Sequence, residues 1–512
     1  MNQLLKLVID YLKLDNIQLE QVFNPIDVIS NNIDSNIDIV YKRIIKAKDN
    51  NERVLVFGDY DADGVMATVI IKDLLDKLDI TNGYYIPNRY NEGYGLNCDI
   101  VKMAYDKGYS LIITVDNGVS AFDALDLANN CNIDVIVSDH HLIGGDIECF
   151  ALVHPSLMLD NFHNMCGAGV ALQISRRFIK DDYHVVLSMI ATIGDMMPLW
   201  NENRNIVRCG LRLLNEYRYP NIVSLLSNGS DSIIDEKMIS FDIVPKINSI
   251  SRLDNIDGIS KVNKLVEYFL NSDLSYINRF SKYINDNNNV RKKLTNDLFV
   301  DIINSYDFNS DINLIYNIDY PIGICGLLAN RVCSYNNKPS LVFGYLNGIY
   351  YGSGRSKDFD LYKTISEYQY LFNSFGGHSL AFGLSIKEEF FKEFIDIING
   401  LNIIYDHIDI DESLYIDIDI LDIDSIKSLE IFKPLGVGIR LPLFKIKLDK
   451  DINYILVKDL YPKWVLKREP LIEAICFDKD IINNDIEYLI GELSINSFMG
   501  NNSISLLVKC VG

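Results

Sequence analysis

The chain has no run of 18 or more apolar residues, so no segment reads as a membrane-spanning helix. Its N-terminus, MNQLLKLVIDYLKLDN, carries acids inside the apolar stretch and lacks a small-residue cleavage site, which argues against a secretory signal. The 9 cysteines form neither a CxxC pair nor a regular framework. They read as reduced core residues of a cytoplasmic protein, not as zinc ligands or disulfides. Positive charge is scarce: 48 Lys and Arg stand against 70 Asp and Glu, a net charge of −22. That argues against broad, nonspecific polyanion binding, which needs a basic face, but leaves room for a narrow positive groove in an acidic shell. No internal repeat stands out.

What the chain does contain is ample for globular folding: 48% hydrophobic and 11% aromatic residues over 512 positions, too many for one core, so two to four domains are expected. Residues 1–50 read as an amphipathic helical lead-in. From Arg53 to about Pro155, strand-like runs (RVLVFGD, GYYIPNRY, SLIITVDNG, DVIVSDHH, FALVHP) alternate with helix-like ones, which predicts a parallel sheet with helices on both faces. Residues 165–215 read as helical, and a helical connector follows, with the polar run NDNNNVRKK at 285–293. Asparagine-rich patches are expected to be solvated loops. A second α/β unit follows, with strands INLIYNI, PSLVFGY and GIYYGSG. Residues 401–430 hold nine acids against one lysine, and the period-two alternation of YIDIDILDI predicts an edge strand leading into a third, mainly β domain.

The chemistry concentrates at strand ends. VLVFGDYDADG places Asp59, Asp61 and Asp63 at the carboxyl end of a buried strand, where unpaired carboxylates repel one another and divalent cations relieve the repulsion. Asp116 in VDNG, Asp139-His140-His141 in VSDHH and Asp195 in GDMMP are further stations. Any single aspartate at a strand end reads as a turn or helix cap. Four stations within 140 residues, each punctuating a strand or helix, read as a metal site. Carboxylate with imidazole suits Mn²⁺ or Zn²⁺, and Mg²⁺ where oxygen dominates. Two such ions can share a carboxylate and promote in-line displacement at phosphorus. Neighbouring His140 and His141 face different ways, so one can bind metal and the other face substrate.

DYDADG (59–64), VDNGVS (115–120), DHH (139–141) and GDMMPL (194–199) resemble the motifs of the DHH phosphoesterase superfamily. YYIPNRYNEGYGL (84–96), CGAGVALQI (166–174), PKINSISRL (245–253), GICGLLANRV (323–332), GSGRS (352–356), GGHSLAFG (376–383) and KPLGVGIRLPLF (433–444) are similar to one branch of it, the RecJ-type single-stranded-DNA exonucleases. The resemblance implies an α/β fold with a catalytic DHH domain at 51–215, a connector at 216–310, a DHH-associated substrate-binding domain at 311–405 and an OB-like nucleic-acid-binding domain at 406–512. It assigns metal to Asp61, Asp63, Asp116, His140 and Asp195, with Asp59 in catalytic support and His141 as general acid. It assigns substrate to Arg89, Arg252, Ser353, Arg355, Gly376, Gly377 and His378, the arginines gripping phosphate, including the 5′ end. Guanidinium forks suit phosphate oxygens, and small residues let backbone amides approach.

Three departures from the family pattern stand out: Tyr320-Pro321 where Trp-His is usual, Asn248-Ser249-Ile250-Ser251-Arg252 where NAAGR is usual, and GIRLP at 438–442 where a GNPEP-like stretch is usual. In the third domain, Trp464 and Tyr461 beside Lys463, Lys467 and Arg468 are candidates for base stacking, against simple packing. The resemblance implies 5′→3′ hydrolysis of single-stranded DNA to 5′-mononucleotides by two ions, Mn²⁺ or Mg²⁺, in DNA repair and recombination. It further implies a monomer working after a helicase, beside a single-strand-binding protein, and away from membranes. The rivals are a short-oligonucleotide or cyclic-dinucleotide phosphodiesterase, an inorganic pyrophosphatase, and a non-catalytic replication scaffold. The extra β domain and connector weigh against the first, the basic terminal pocket against the second, and the full ligand set against the third.

Overall fold

A computed structural model describes residues 1–31, 35–90, 92–227, 233–254, 261–357, 359–401, 413–448, 454–458, 460–477, 486–498 and 501–512. The chain divides into two compact units, one of Met1–Val28, Pro198–Arg208 and Ile408–Gly512, the other of Ile29–Met197 and Cys209–His407. The helical lead-in is therefore split. Gln3–Leu12 and Asn16–Phe23 belong to the first unit, and Ser35–Asp49 to the second.

In the second unit, β1 (Val54–Phe57), β2 (Asn82–Tyr85), β3 (Leu111–Val115), β4 (Asp134–Ser138) and β5 (Ala151–Val153) form a parallel sheet in the order β2-β1-β3-β4-β5. β1, β3 and most of β4 are buried, as apolar runs covered on both faces must be. On one face Leu55, Phe57, Ile112, Val135 and Val137 pack against the helices Cys98–Asp106 and Phe122–Asn130. The helix Ala62–Lys77 leaves β1 and packs against Gly167–Arg176 and Asp182–Gly194. Strand order reverses between β1 and β3, and the crevice beyond the carboxyl ends there is where ligands bind in sheets of this kind. The acid-bearing strands β1, β3 and β4 are adjacent, so their ends meet.

The connector includes the helices Val244–Arg252, Val262–Leu270 and Leu274–Ser305. The asparagine-rich run at 285–289 lies inside the last of these and is no solvated loop: Asn288 is buried, and Asn287 Nδ2 donates to Ser249 O at 2.8 Å. Helix formation there costs little, because the Asn287 amide satisfies a neighbouring helix and Asn288 Oδ1 accepts from the Arg291 side chain, instead of competing with their own backbone. The same unit carries a second sheet of β6 (Asn313–Tyr316), β7 (Ser340–Leu346), β8 (Ile349–Arg355), β9 (Phe372–His378) and β10 (Ala381–Lys387), ordered β6-β7-β8-β10-β9. β6 and β7 are parallel, joined through the helix Cys325–Asn336, and the other pairs are antiparallel.

The first unit is mainly β: β11 (Ser413–Ile416), β12 (Leu443–Lys447), β13 (Ile455–Val457), β14 (Tyr461–Arg468), β15 (Leu471–Cys476), β16 (Tyr488–Phe498) and β17 (Asn501–Val511) form one sheet ordered β11-β12-β16-β17-β15-β14-β13. β11 is an edge strand, as the alternation predicted, but it stops at Ile416. Beyond it Asp417 and Asp422 accept backbone N–H bonds at the starts of a 3-10 turn and the helix Ile423–Ser428, so cap chemistry wins over period-two pattern. Trp464 is 1% exposed, which makes it core and removes it as a stacking surface. Lys463 pairs with Glu473 at 2.6 Å, and Tyr461 meets the Phe477 ring edge-on. The side chains of Lys467 and Arg468 lie outside the described residues.

Candidate active site

Asp59, Asp61 and Asp63 follow β1, Asp116 follows β3, and Asp139, His140 and His141 follow β4; Asp195 caps the end of the helix Asp182–Gly194. Asp61 serves in part as the ordinary N-cap of Ala62–Lys77, its Oδ1 accepting from Asp63 N and Gly64 N at 2.9 and 3.1 Å. Asp63 is held by the start of another helix: Oδ2 accepts from Gly167 N and Oδ1 from Ala168 N, both at 2.7 Å. Amide donors at a helix N-terminus orient a carboxylate in this way. Gly167 is required by close approach, since a Cβ there would lie 2.6 Å from Asp116 Oδ1. Asp116 has φ of 61°, a left-handed conformation that is costly for a residue with a Cβ and that occurs at functional sites. Asp195 sits at the negative end of a helix dipole, a poor place for a structural carboxylate.

These side chains converge. His140 Nε2 lies 3.0 Å from Asp116 Oδ1 and 3.7 Å from both Asp63 Oδ2 and Asp195 Oδ2. Asp59, Asp61 and Asp116 each place an oxygen within 4.8 Å of the others, and Asp63, His140 and Asp195 likewise bring ligand atoms together. Asp59 thus belongs among the converging oxygens, not behind them. Burial first, and the charge of Asp61 next, pushes Asp63 up to about 6. Burial and then Asp63 and Asp61 push Asp195 up to about 8. Asp59 and Asp116 are raised well above the carboxylate range by burial and by their neighbours, Asp61 and Asp63 respectively. Burial and the adjacent His141 hold His140 down to about 3, so its ring is neutral and able to ligate.

Repulsive carboxylates, a neutral imidazole, and buried Asp59 Oδ1 and Asp195 Oδ2 without a hydrogen-bond partner among the described residues make a donor set that divalent cations fit. A second group, Asp73, Asp181 and His184, is different. The Lys77 ammonium already bridges Asp73 and Asp181 at 2.5 and 2.6 Å, an ion-pair network rather than a metal cradle.

His141 has a different setting. Its Nδ1 lies 2.8 Å from Asp139 Oδ1, and Asp139 also accepts from the backbone N–H groups of Val119, His140 and His141. Burial pulls His141 down, but the Asp139 bond and charge prevail and raise it to about 9, so the ring is an imidazolium able to donate a proton. Sequence reasoning passed over Asp139 as a positioning group, although its place beside two histidines was a usable signal. It also passed over Asn117, whose Nδ2 bonds Val115 O at 2.9 Å, and Asn248, whose Oδ1 accepts from Ala62 N at 2.7 Å. Nothing local in the chain pairs Asn248 with Ala62.

The predicted substrate residues fall into two places. Arg252 donates from Nη1 to Gly323 O at 3.1 Å, and Arg89 lies 5.0 Å over the Tyr60 ring. Ser353 and Arg355 are alternate residues of β8 and so share a face. A Cβ on Gly326, at the start of the helix Cys325–Asn336, would lie 3.2 Å from both Ser353 Oγ and Arg355 Nη2, so a backbone approaches closely here. Burial, followed by the charges of Arg89, Arg291 and Arg355, presses Arg252 down to about 9. Burial and then Arg89 lower Arg355 as well. Among the described residues none of Arg89, Arg252 and Arg355 pairs with a carboxylate. Gly376, Gly377 and His378 lie exposed on the edge strand β9, and the charge of His378 reaches His140. Ser251, the departure from the expected glycine, is buried with Oγ bonded to Asn248 O at 3.3 Å, and the helix continues through it to Arg252.

Residues 53–194 match the DHH family, N-terminal domain, and residues 311–402 the DHHA1 domain. The single-stranded-DNA-specific exonuclease RecJ of Bacillus subtilis is 27% identical over 91% of this chain, and the chain spans 62% of that curated relative's length. The protein of the same name from Salmonella typhimurium is 30% identical over 71% of this chain and 67% of its own length. The fold is shared with the crystal structure of RecJ in complex with Mn²⁺ from Thermus thermophilus, at TM-score 0.80 and 20% identity over 99% of this chain and 77% of that one. With both domains matched in order and the Salmonella relative covered over two thirds, the chain belongs to the RecJ-type branch of the DHH superfamily.

Proposed function

We propose that this protein is a metal-dependent exonuclease that degrades single-stranded DNA from the 5′ end to 5′-mononucleotides. The observation that carries the reading is one helix, Val244–Arg252, that reaches both halves of the site. Asn248 fixes the start of the helix bearing Asp63, and one turn later Arg252 stands among unpaired guanidiniums. A turn is about 5.4 Å of rise, the scale of a single nucleotide, which is the size of the proposed product.

Asp61, Asp63, Asp116, His140 and Asp195 would hold two divalent cations, Mn²⁺ or Mg²⁺, with Asp59 adjoining. Bound there, the cations would neutralise phosphate charge and make the attacking water more acidic. Asp139 keeps His141 protonated and oriented, so that it gives its proton to the departing 3′-oxygen. Cleavage on that side leaves phosphate on the shortened strand, which presents a new 5′-phosphate to Arg89, Arg252, Ser353 and Arg355. These residues enforce polarity by binding the terminal phosphate, and Gly376, Gly377 and His378 close over the nucleotide. The cellular setting we propose is DNA repair and recombination by a cytoplasmic monomer acting after a helicase, beside a single-strand-binding protein. No helix among the described residues is long and apolar enough to cross a membrane.

The test uses 5′- and 3′-labelled oligonucleotides, single- and double-stranded, with Mn²⁺. Mononucleotides released from the 5′ end of single strands are expected, and Asp116→Ala is expected to abolish them while circular dichroism stays unchanged. Near-normal turnover in Asp116→Ala would reject the metal assignment.

A further inference from the structure

The arginine cluster does not end with the residues the motifs pick out. The helix Leu274–Ser305 docks on Val244–Arg252 through Asn287, whose Nδ2 reaches Ser249 O at 2.8 Å and Ser249 Oγ at 3.2 Å. Arg291 is one turn beyond Asn287 and therefore shares its face, as Arg252 lies one turn beyond Ser249. Asn288, 1% exposed, accepts from Arg291 Nε at 3.1 Å and Nη2 at 2.8 Å, which fixes the guanidinium's orientation. The half-buried Arg291 bears on Arg252, and Arg331 bears on Arg291 in turn. Arg331 belongs to the helix Cys325–Asn336, whose first turn faces Ser353 and Arg355, and packs over the Phe299 ring of the same long helix at 5.3 Å.

Among the described residues, Arg291 has no carboxylate partner, like Arg89, Arg252 and Arg355. In a chain of net charge −22, four guanidiniums drawn together with no carboxylate in ion-pair contact among the described residues are an uncommon expense; Asp59 and Asp61 act on Arg89, and Asp61 on Arg252, only through their charge. Their summed charge exceeds what an internal phosphodiester, with one negative charge, neutralises. A terminal phosphomonoester carries about −1.5 to −2 at neutral pH. Resting on the 5′-end reading above, we infer that Arg291 is a positioning residue that holds Arg252 in a surplus positive field and so makes the pocket select a dianionic terminal phosphate over a monoanionic one. The buried Asn288 is its orienting partner, which accounts for an asparagine-rich turn inside a long helix.

The experiment compares three single-stranded oligonucleotides that differ only at the 5′ end: phosphate, phosphate methyl ester and hydroxyl. The wild-type protein is expected to rank them in that order by kcat/KM. Arg291→Gln, which can still bond Asn288, should lower the phosphate-to-methyl-ester ratio about fivefold, the scale of one partly screened charge interaction, with the change in KM. Arg291→Lys should restore most of the ratio. A ratio unchanged in Arg291→Gln, or an equal fall for all three ends, overturns the inference, because a merely structural residue acts on every end alike. Wild-type activity indifferent to the 5′ group would instead overturn the terminal-phosphate reading beneath it.

Discussion

Gly167→Ala tests the site through packing alone. The added Cβ would lie 2.5 Å from Asp116 Cβ and 2.6 Å from Asp116 Oδ1, against about 3.4–4 Å for ordinary contact. Relief takes a shift of about 1 Å between the helix Gly167–Arg176 and the end of β3. Neither side gives easily: Asp116 is buried in a left-handed conformation, and Gly167 N is bonded to Asp63. The carboxylates of Asp116 and Asp63, both close to His140 Nε2, therefore shift relative to one another. Misplacement by 1 Å costs about 100-fold in rate, or about 2.7 kcal/mol in the barrier, and overpacking costs about 1–3 kcal/mol in stability. The assays are Mn²⁺-dependent mononucleotide release, Mn²⁺ titration and urea denaturation. Gly169→Ala is the control, because its Cβ would come no nearer than 3.2 Å, to Met165 Cβ, which a shift of a few tenths of an ångström relieves, and its nearest neighbours include no Asp116 atom. It should change stability by no more than about 1 kcal/mol and leave Mn²⁺ affinity intact. Wild-type turnover and Mn²⁺ affinity in Gly167→Ala would refute the geometry.

Arg355→Ala should raise KM mainly for 5′-phosphorylated strands, measured against the same strands with a 5′-hydroxyl; equal losses on both would remove Arg355 from the end pocket. Asp73→Asn should destabilise the protein by about 1–3 kcal/mol at neutral pH, because it disrupts a charge-assisted bond to the buried His184 at 2.7 Å. Burial would raise Asp73, but its bonds from His184 and Lys77 prevail and lower it. A lowered folded-state value means the contribution is complete above the unfolded value of about 3.9 and is lost as pH falls through the folded one. Urea denaturation from pH 7 downward should show the Asp73→Asn deficit shrinking below about pH 4. A deficit constant with pH would assign it to packing instead.

Much of this protein could be read along the chain, because local rules determine local features. Apolar runs ending in alternate aspartates marked β1 and its metal-type cluster, and alternation of strands and helices marked the parallel sheet. The motif order identified both α/β domains. Where local signals conflicted, pattern alone misled. YIDIDILDI alternates like a strand, yet Asp417 and Asp422 cap turns within it. Trp464 sits beside lysines as a stacking residue would, yet its ring fills the core.

The sequence by itself determined which groups are available and which elements carry them. Only the tertiary structure decided which of them meet. Strand order puts the ends of β1, β3 and β4 side by side, and with the end of the helix Asp182–Gly194 this brings oxygens of Asp63, Asp116 and Asp195 around His140. The docking of one long helix draws Arg291 to Arg252, a pairing across 39 positions that no period or spacing encodes. Burial then turned ordinary side chains into unusual ones. Asp195 is pushed up, His140 down and its neighbour His141 up, because charge in a low-dielectric crevice depends on what lies across it rather than on what precedes it in the chain.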